Sequence, residues 1–217
     1  MKLSTIISQA RSGELKSLSS KDKTDEVIVN YINLALIALY SRFTLRTEEA
    51  IVALADGKTL YKLDGTDTAV TVEGAPIEDD NVLKILSAFD ERGEIHINDE
   101  SSSLSIYTPS YNTLQVPYPE TGAYIAVIYK AGPNLITYID DGSGNATESI
   151  VQLPMHLLEP LLHYVGYRAH GSGTGDIDNE SNSHLSRYVA SCNNVEALGL
   201  IPTDSVDMDN SRKGFSL

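Results

Sequence analysis

Four residues in the last third of the chain have types and spacing suited to transition-metal chemistry: His156, Glu159, His163 and His170. Positions three, four and seven apart share one helix face, and imidazole and carboxylate both coordinate such ions. The order is neither His-Glu-x-x-His nor Glu-x-x-His, the helical motifs that hold a metal. His156 and His163 also stand two turns apart, too far for one ion unless Pro160 bends the helix. The reading is therefore a polar helix face turned to solvent or to a neighbouring subunit, with no metal and no cofactor expected.

Other short motifs reduce to local structure in the same way. Asp140-Asp-Gly-Ser-Gly-Asn145 and Asp176-Ile-Asp-Asn-Glu180 each bring several oxygens together, but neither has the central glycine and terminal glutamate of a calcium loop. Turn chemistry accounts for the first, and helix capping by Asp178 or Asn179 for the second. Gly171-Ser-Gly-Thr-Gly175 lacks a lysine and joins helix to helix, so it reads as a linker and not as a phosphate cradle. Tyrosine is abundant, with twelve against three phenylalanines and no tryptophan. Tyr107, Tyr111, Tyr118, Tyr124, Tyr129 and Tyr138 are read as half-buried strand residues or interface anchors, with stacking on sugars or bases as the alternative. No set of nucleophile, base and orienting group is visible, and an enzyme is not expected. Cys192 is alone, so no internal disulfide forms, and a buried free thiol made in a reducing compartment is the expectation.

The elements that position these residues fall in three blocks. Leu3, Ile6, Ile7, Ala10, Leu15 and Leu18 outline a short helix interrupted near Gly13. A clearer helix follows, capped by Thr24, with Asp25 and Glu26 at its positive end and apolar residues from Val27 to Leu39 around much of its circumference. Such width implies cover from helices of the same chain, from a neighbouring subunit, or from both. After Arg46 the period changes to that of strands. Ala50–Leu54 and Thr59–Leu63 flank Asp56-Gly57 as an expected hairpin, and Val82–Phe89 and Glu94–Ile97 flank Asp90–Gly93 as a second. Further strands are expected at Leu104–Tyr107, Thr113–Val116, Tyr124–Tyr129, Leu135–Ile139 and Ser149–Leu153. Helix returns at Pro154, with a kink or a fresh start at Pro160, and again from about Asn179 to Leu198, ended by Gly199. The sequence from Ile201 to Leu217 has the composition of an extended arm.

The expected class is α+β: a helical bundle built from residues 1–45 and 154–200, an antiparallel β lobe inserted at 46–153, and an arm at 201–217. A chain of 217 residues can bury one sizeable core or a core plus a smaller lobe. Thirty acidic residues against sixteen basic ones, a formal charge of -14, argue against a protein that grips a nucleic-acid backbone. The same balance suits a wall past which DNA slides, or simple solubility. No export signal and no transmembrane stretch are read, so a soluble protein is expected.

Two segments, Val116–Pro133 and Ile150–His170, together with the order of elements over most of the chain, resemble the head-to-tail adaptor (connector) proteins of tailed bacteriophages. The resemblance implies a structural virion protein of the neck, assembled in the host cytoplasm. It implies a ring, twelve copies in the family, that docks under the portal protein, extends the DNA channel without binding genomic DNA specifically, and offers a surface to the tail or nozzle. On that reading Arg212, Lys213, Phe215 and Leu217 of the arm are the candidate contacts to portal or to a neighbouring subunit. The alternatives are another neck or tail component, or a carbohydrate or host-ligand binding module using the tyrosine-rich β lobe.

Overall fold

The structure, a computed structural model, describes residues 1–76, 82–142, 146–171 and 177–201. Among these residues the chain forms four α-helices and two sheets with antiparallel ladders, an α+β protein as expected. Its contacts divide it into two units: residues 45–132 form one, and residues 1–44 with the chain from Pro133 onward form the other.

In the helical unit, α1 (Leu3–Ser12) buries Leu3, Ile6, Ile7 and Ala10, the spacing of one helix face, and ends where the Gly13 N–H bonds to Gln9 O at 2.9 Å. The second helix, α2 (Asp25–Arg42), starts at Thr24, whose hydroxyl accepts the Val27 N–H at 3.4 Å. It buries Ile28, Val29, Ile32, Ala35, Leu36, Leu39 and Tyr40, yet leaves Leu34 and Ile37 exposed. A 3-10 turn at Met155–Leu157 leads into α3 (Leu158–His170), which contacts α1, α2 and α4 (Ile177–Ala197). Pro160 is the third residue of α3. Its missing N–H would have had no partner in the first turn, so it marks a start and not a kink. Gly199, at φ +61°, follows α4 as expected of a terminating glycine.

The strands expected at Leu135–Ile139 and Ser149–Leu153 do not form. This stretch is extended chain, held by the helices and the N-terminus in place of a neighbouring strand. Asn33 of α2 donates from Nδ2 to Ile136 O and accepts the Ile136 N–H, both at 2.9 Å. Tyr40 donates its hydroxyl to Gln152 O at 3.0 Å, and the terminal ammonium of Met1 donates to Val151 O at 2.6 Å. Asp25 accepts the Ala146 N–H at 2.6 Å. Backbone groups satisfied in this way have no need of a sheet. The β-branched pattern was legible, but not the source of its hydrogen bonds.

In the β unit, the larger sheet runs β4 (Ala75–Pro76), β3 (Val70–Val72), β1 (Thr47–Ala53), β9 (Tyr124–Ala131), β5 (Val82–Asp90), β6 (Gly93–Ile95). The smaller runs β2 (Leu60–Lys62), β8 (Thr113–Gln115), β7 (Tyr107–Ser110). The hairpin at Asp90–Gly93 is present: Asp90 Oδ1 accepts the N–H groups of Arg92 and Gly93 at 2.7 and 3.1 Å. The hairpin expected around Asp56-Gly57 is not. Its two strands enter different sheets, β1 pairing with β3 and β9 and β2 with β8. Gly57 still takes φ +70°, but the connection is closed by Tyr61, whose hydroxyl donates to Lys58 O at 2.8 Å and accepts the Ala55 N–H at 3.1 Å. Val52, Tyr61, Leu114, Ile125, Val127 and Tyr129 share one core, drawn from both sheets. Each such side chain contributes about 1.5–3 kcal/mol by leaving water. Among the described residues no helix is long and apolar enough to cross a membrane.

Candidate functional site

The most chemically capable cluster uses only part of the face that the sequence singled out. Gly13 ends α1, and the turn that follows carries Glu14 toward α3 and α4. There it meets His163 from the middle of α3 and His184 from α4. Glu14 Oε2 lies 2.9 Å from His184 Nδ1, and Glu14 Oε1 lies 3.4 Å from His163 Nδ1. The three side chains are 19, 13 and 11 % exposed, so solvent does not separate them. Both Nδ1 atoms are buried, and neither approach to the carboxylate has hydrogen-bond geometry. One donor atom from each of the three residues lies within 4.8 Å of the other two.

Neighbouring groups hold this arrangement. His170, at the end of α3, stacks on His184 with ring centroids 4.9 Å apart and planes 16° apart. Its Nε2 lies 2.9 Å from Glu14 O. A carbonyl only accepts, so that nitrogen carries the proton and pins the turn. Glu159 Oε1 stands 3.5 Å from His163 Nε2, on the opposite side of the ring from Glu14. Gly166 makes room on α3: a Cβ at that position would lie 2.8 Å from His184 Nδ1. Burial pushes the His184 pKa below its ordinary value, and His170, Arg187 and His163 act in the same direction against the opposing pull of Glu14.

Of the four residues on the expected face, only His163 enters the cluster directly. Glu159 and His170 support it, and His156 is exposed on the 3-10 turn. Glu14 and His184 were not foreseen, because no spacing within one element links them to His163. The expected polar face thus turns partly inward, covered by α4 and the turn after α1.

Of the remaining motifs, those described have structural roles, although α4 begins at Ile177, so Asp178 and Asn179 lie inside the helix and not at its cap. Asp140 Oδ1 accepts the Gly142 N–H at 2.8 Å, the turn bond anticipated there, while residues 143–145 and the loop at 172–176 lie outside the described residues. Cys192 is fully buried, and desolvation raises its pKa, as for an inert thiol. The tyrosines divide. Tyr129 is core, donating its hydroxyl to Glu48 Oε2 at 2.7 Å, whereas Tyr111, Tyr118 and Tyr124 are 54, 83 and 58 % exposed. Tyr118 and Tyr124, with Leu104 and Arg92, line a cleft of about 440 Å³ in the β unit. Arg212, Lys213, Phe215 and Leu217 lie outside the described residues.

A second feature is apolar. Leu34 and Ile37 of α2 and Leu135, Ile139 and Ile150 of the extended segment are all exposed in the helical unit. The two-sided grip of Asn33 on Ile136 holds that segment beside α2. On α2, Leu34 and Ile37 share the exposed side with Glu26, Asn30 and Ser41.

No curated protein gives a significant match to the chain. The model of the family described as SU10 adaptor protein, however, matches residues 1–212; the chain belongs to that family of phage adaptors, in agreement with the resemblance read from its sequence.

Proposed function

We propose that this protein is a head-to-tail adaptor that docks as a ring under the portal, extends the DNA channel and presents the surface to which the tail or nozzle attaches. The observation that carries this reading is the family match over residues 1–212. Physical features support it. The exposed aliphatic residues of α2 and of the extended segment provide what a chain needs to pack against identical neighbours around a closed ring. A formal charge of -14 disfavours phosphate adhesion, so DNA passes such a wall without being held. The role is structural and needs no catalytic set, and the place of action is the virion neck.

Arg212, Lys213, Phe215 and Leu217 complete the proposal as portal contacts, two cations for acidic groups and two apolar anchors. The test is mass in solution and after mixing with the cognate portal, by light scattering and negative-stain imaging. A ring of about twelve copies, or a monomer that stacks onto portal rings, is expected. A monomer indifferent to portal would overturn the reading. Deletion of residues 201–217 is expected to abolish docking, and undiminished docking would remove the arm from the mechanism.

A second reading rests on the cleft beside Tyr118 and Tyr124, whose exposed rings suit a carbohydrate or host ligand. A sugar affinity lost in Tyr118→Ala would favour it.

A further inference from the structure

We propose that Glu14, His163 and His184 form a binding site for a zinc-type divalent transition ion, which ties the turn after α1 to α3 and α4. This inference is independent of the adaptor reading, since it concerns the interior of the helical unit.

The donor set selects the ion class. Two imidazole nitrogens and one carboxylate suit zinc, cobalt, nickel or copper, whereas calcium and magnesium require oxygen ligands almost throughout. A tetrahedral zinc ion with ligands at about 2.0–2.1 Å places neighbouring donors about 3.3 Å apart. Glu14 Oε2 stands 2.9 Å from His184 Nδ1 and Glu14 Oε1 stands 3.4 Å from His163 Nδ1, separations close to that spacing. All three donors lie within 4.8 Å of one another, so small rotations of buried rings bring them onto one centre. Three protein ligands leave a fourth position for water.

Each Nδ1 faces the carboxylate without a hydrogen bond, and a buried polar atom without a partner is costly. An ion between the three groups satisfies both nitrogens and the carboxylate at once. The surroundings have the form of an outer ligand shell. Glu159 sits at the far nitrogen of His163, the place of the carboxylate in a carboxylate–histidine–metal relay. His170 fixes the plane of the His184 ring by stacking and anchors the Glu14 backbone. Gly166 supplies the space that the His184 ring occupies. Two surface clefts share Glu14 and provide entry: one of about 660 Å³ that includes His184 and Arg187, and one of about 400 Å³ that includes His163 and Glu159. Arg187 and Lys16 line the larger cleft and oppose a cation there, so the smaller one is the favoured route.

The experiment uses full-length protein without a polyhistidine tag, stripped with a chelator and titrated with Co²⁺ by visible absorption, then with Zn²⁺ by competition. One ion per chain is expected, with absorption typical of nitrogen and oxygen ligands in low coordination, and a rise in Tm with bound Zn²⁺. Glu14→Gln, His163→Gln and His184→Gln should each weaken Zn²⁺ binding by about 100-fold or more, Glu159→Gln by about 10-fold, and His156→Gln not at all. Should His184→Gln fail to fold, Glu14→Gln and His163→Gln carry the test. Absence of stoichiometric binding at micromolar Zn²⁺, or binding unchanged in Glu14→Gln and His163→Gln, would overturn the proposal.

Discussion

In the β unit, the side chains that tie down loops are close in sequence to what they hold. Tyr61 reaches Lys58 and Ala55, Asp67 accepts from Lys58, Lys62 and Ala69, and Asp90 accepts from Arg92 and Gly93. In the helical unit the comparable ties span most of the chain: Asp25 to Ala146, Asn33 to Ile136, Tyr40 to Gln152, Arg42 to Glu196, Met1 to Val151, Glu14 to His184. Among its described residues the β unit thus shapes these turns from their own neighbourhood, and its distant pairing lies mostly in its ladders. The helical unit cannot complete its polar interior until the chain has returned from residue 133 onward. Long-range closure of that kind raises contact order.

The largest effect is expected where the helical unit packs most tightly. Leu36→Ala removes a fully buried side chain of α2 and should cost about 2–5 kcal/mol in denaturant unfolding. Hydrogen exchange should then show protection falling in α2 and α3 before β9; simultaneous loss in both units would mean that they unfold as one.

Next comes the contrast between two carboxylates. Asp25 is buried and accepts from Arg11 and from Ala146 N–H, so Asp25→Ala should cost about 2–3 kcal/mol and release exchange near Ala146, more than a hundred residues away. Asp67→Ala should loosen only residues near 58–70, because all its partners lie there. A distant effect of Asp67→Ala would break the distinction.

Gly166→Ala tests how closely α3 and α4 approach. The added methyl meets the His184 ring at 2.8 Å, and overpacking of this kind costs about 1–3 kcal/mol. It should also lower Zn²⁺ affinity, whereas Gly57→Ala in the β unit should act through its positive φ alone.

The smallest effect concerns pH. The hydrogen bond from Arg42 holds Glu196 below its ordinary 4.5, against a weaker opposing effect of burial. A folded pKa below the unfolded value means stability that is complete above about pH 4.5 and is lost as pH falls through the folded value. Both side chains are about one-third exposed, so the contribution is under about 1 kcal/mol. Glu196→Gln should flatten the acid limb of the stability profile by that amount; an unchanged limb would assign it to other carboxylates, such as Asp67, which Lys58 and two backbone N–H groups hold below the usual range despite burial.

Elements whose hydrogen bonds are internal, or whose caps are adjacent, were legible in the residues. Thr24 before Asp25, Gly13 after Ser12, Gly199 after α4 and the Asp90–Gly93 turn all lie where their chemistry indicates. The misreadings share one cause. Ala50–Leu54 and Thr59–Leu63 are strands, yet their partners are β9 and β8, and alternation reports which face is buried but not which neighbour supplies the ladder. Leu135–Ile139 has strand character without a strand neighbour, because Asn33 takes its place.

The candidate site divides along the same line. By itself the sequence determined the helices, the β-rich middle, the acidic balance, and the presence of His163, Glu159 and His170 on one short stretch. Only the tertiary structure decided that His163 should meet Glu14 and His184, and that His156 should not. Helical periodicity relates residues within a turn or two, whereas a site made from three segments depends on how those segments pack, and packing is set by every buried side chain at once.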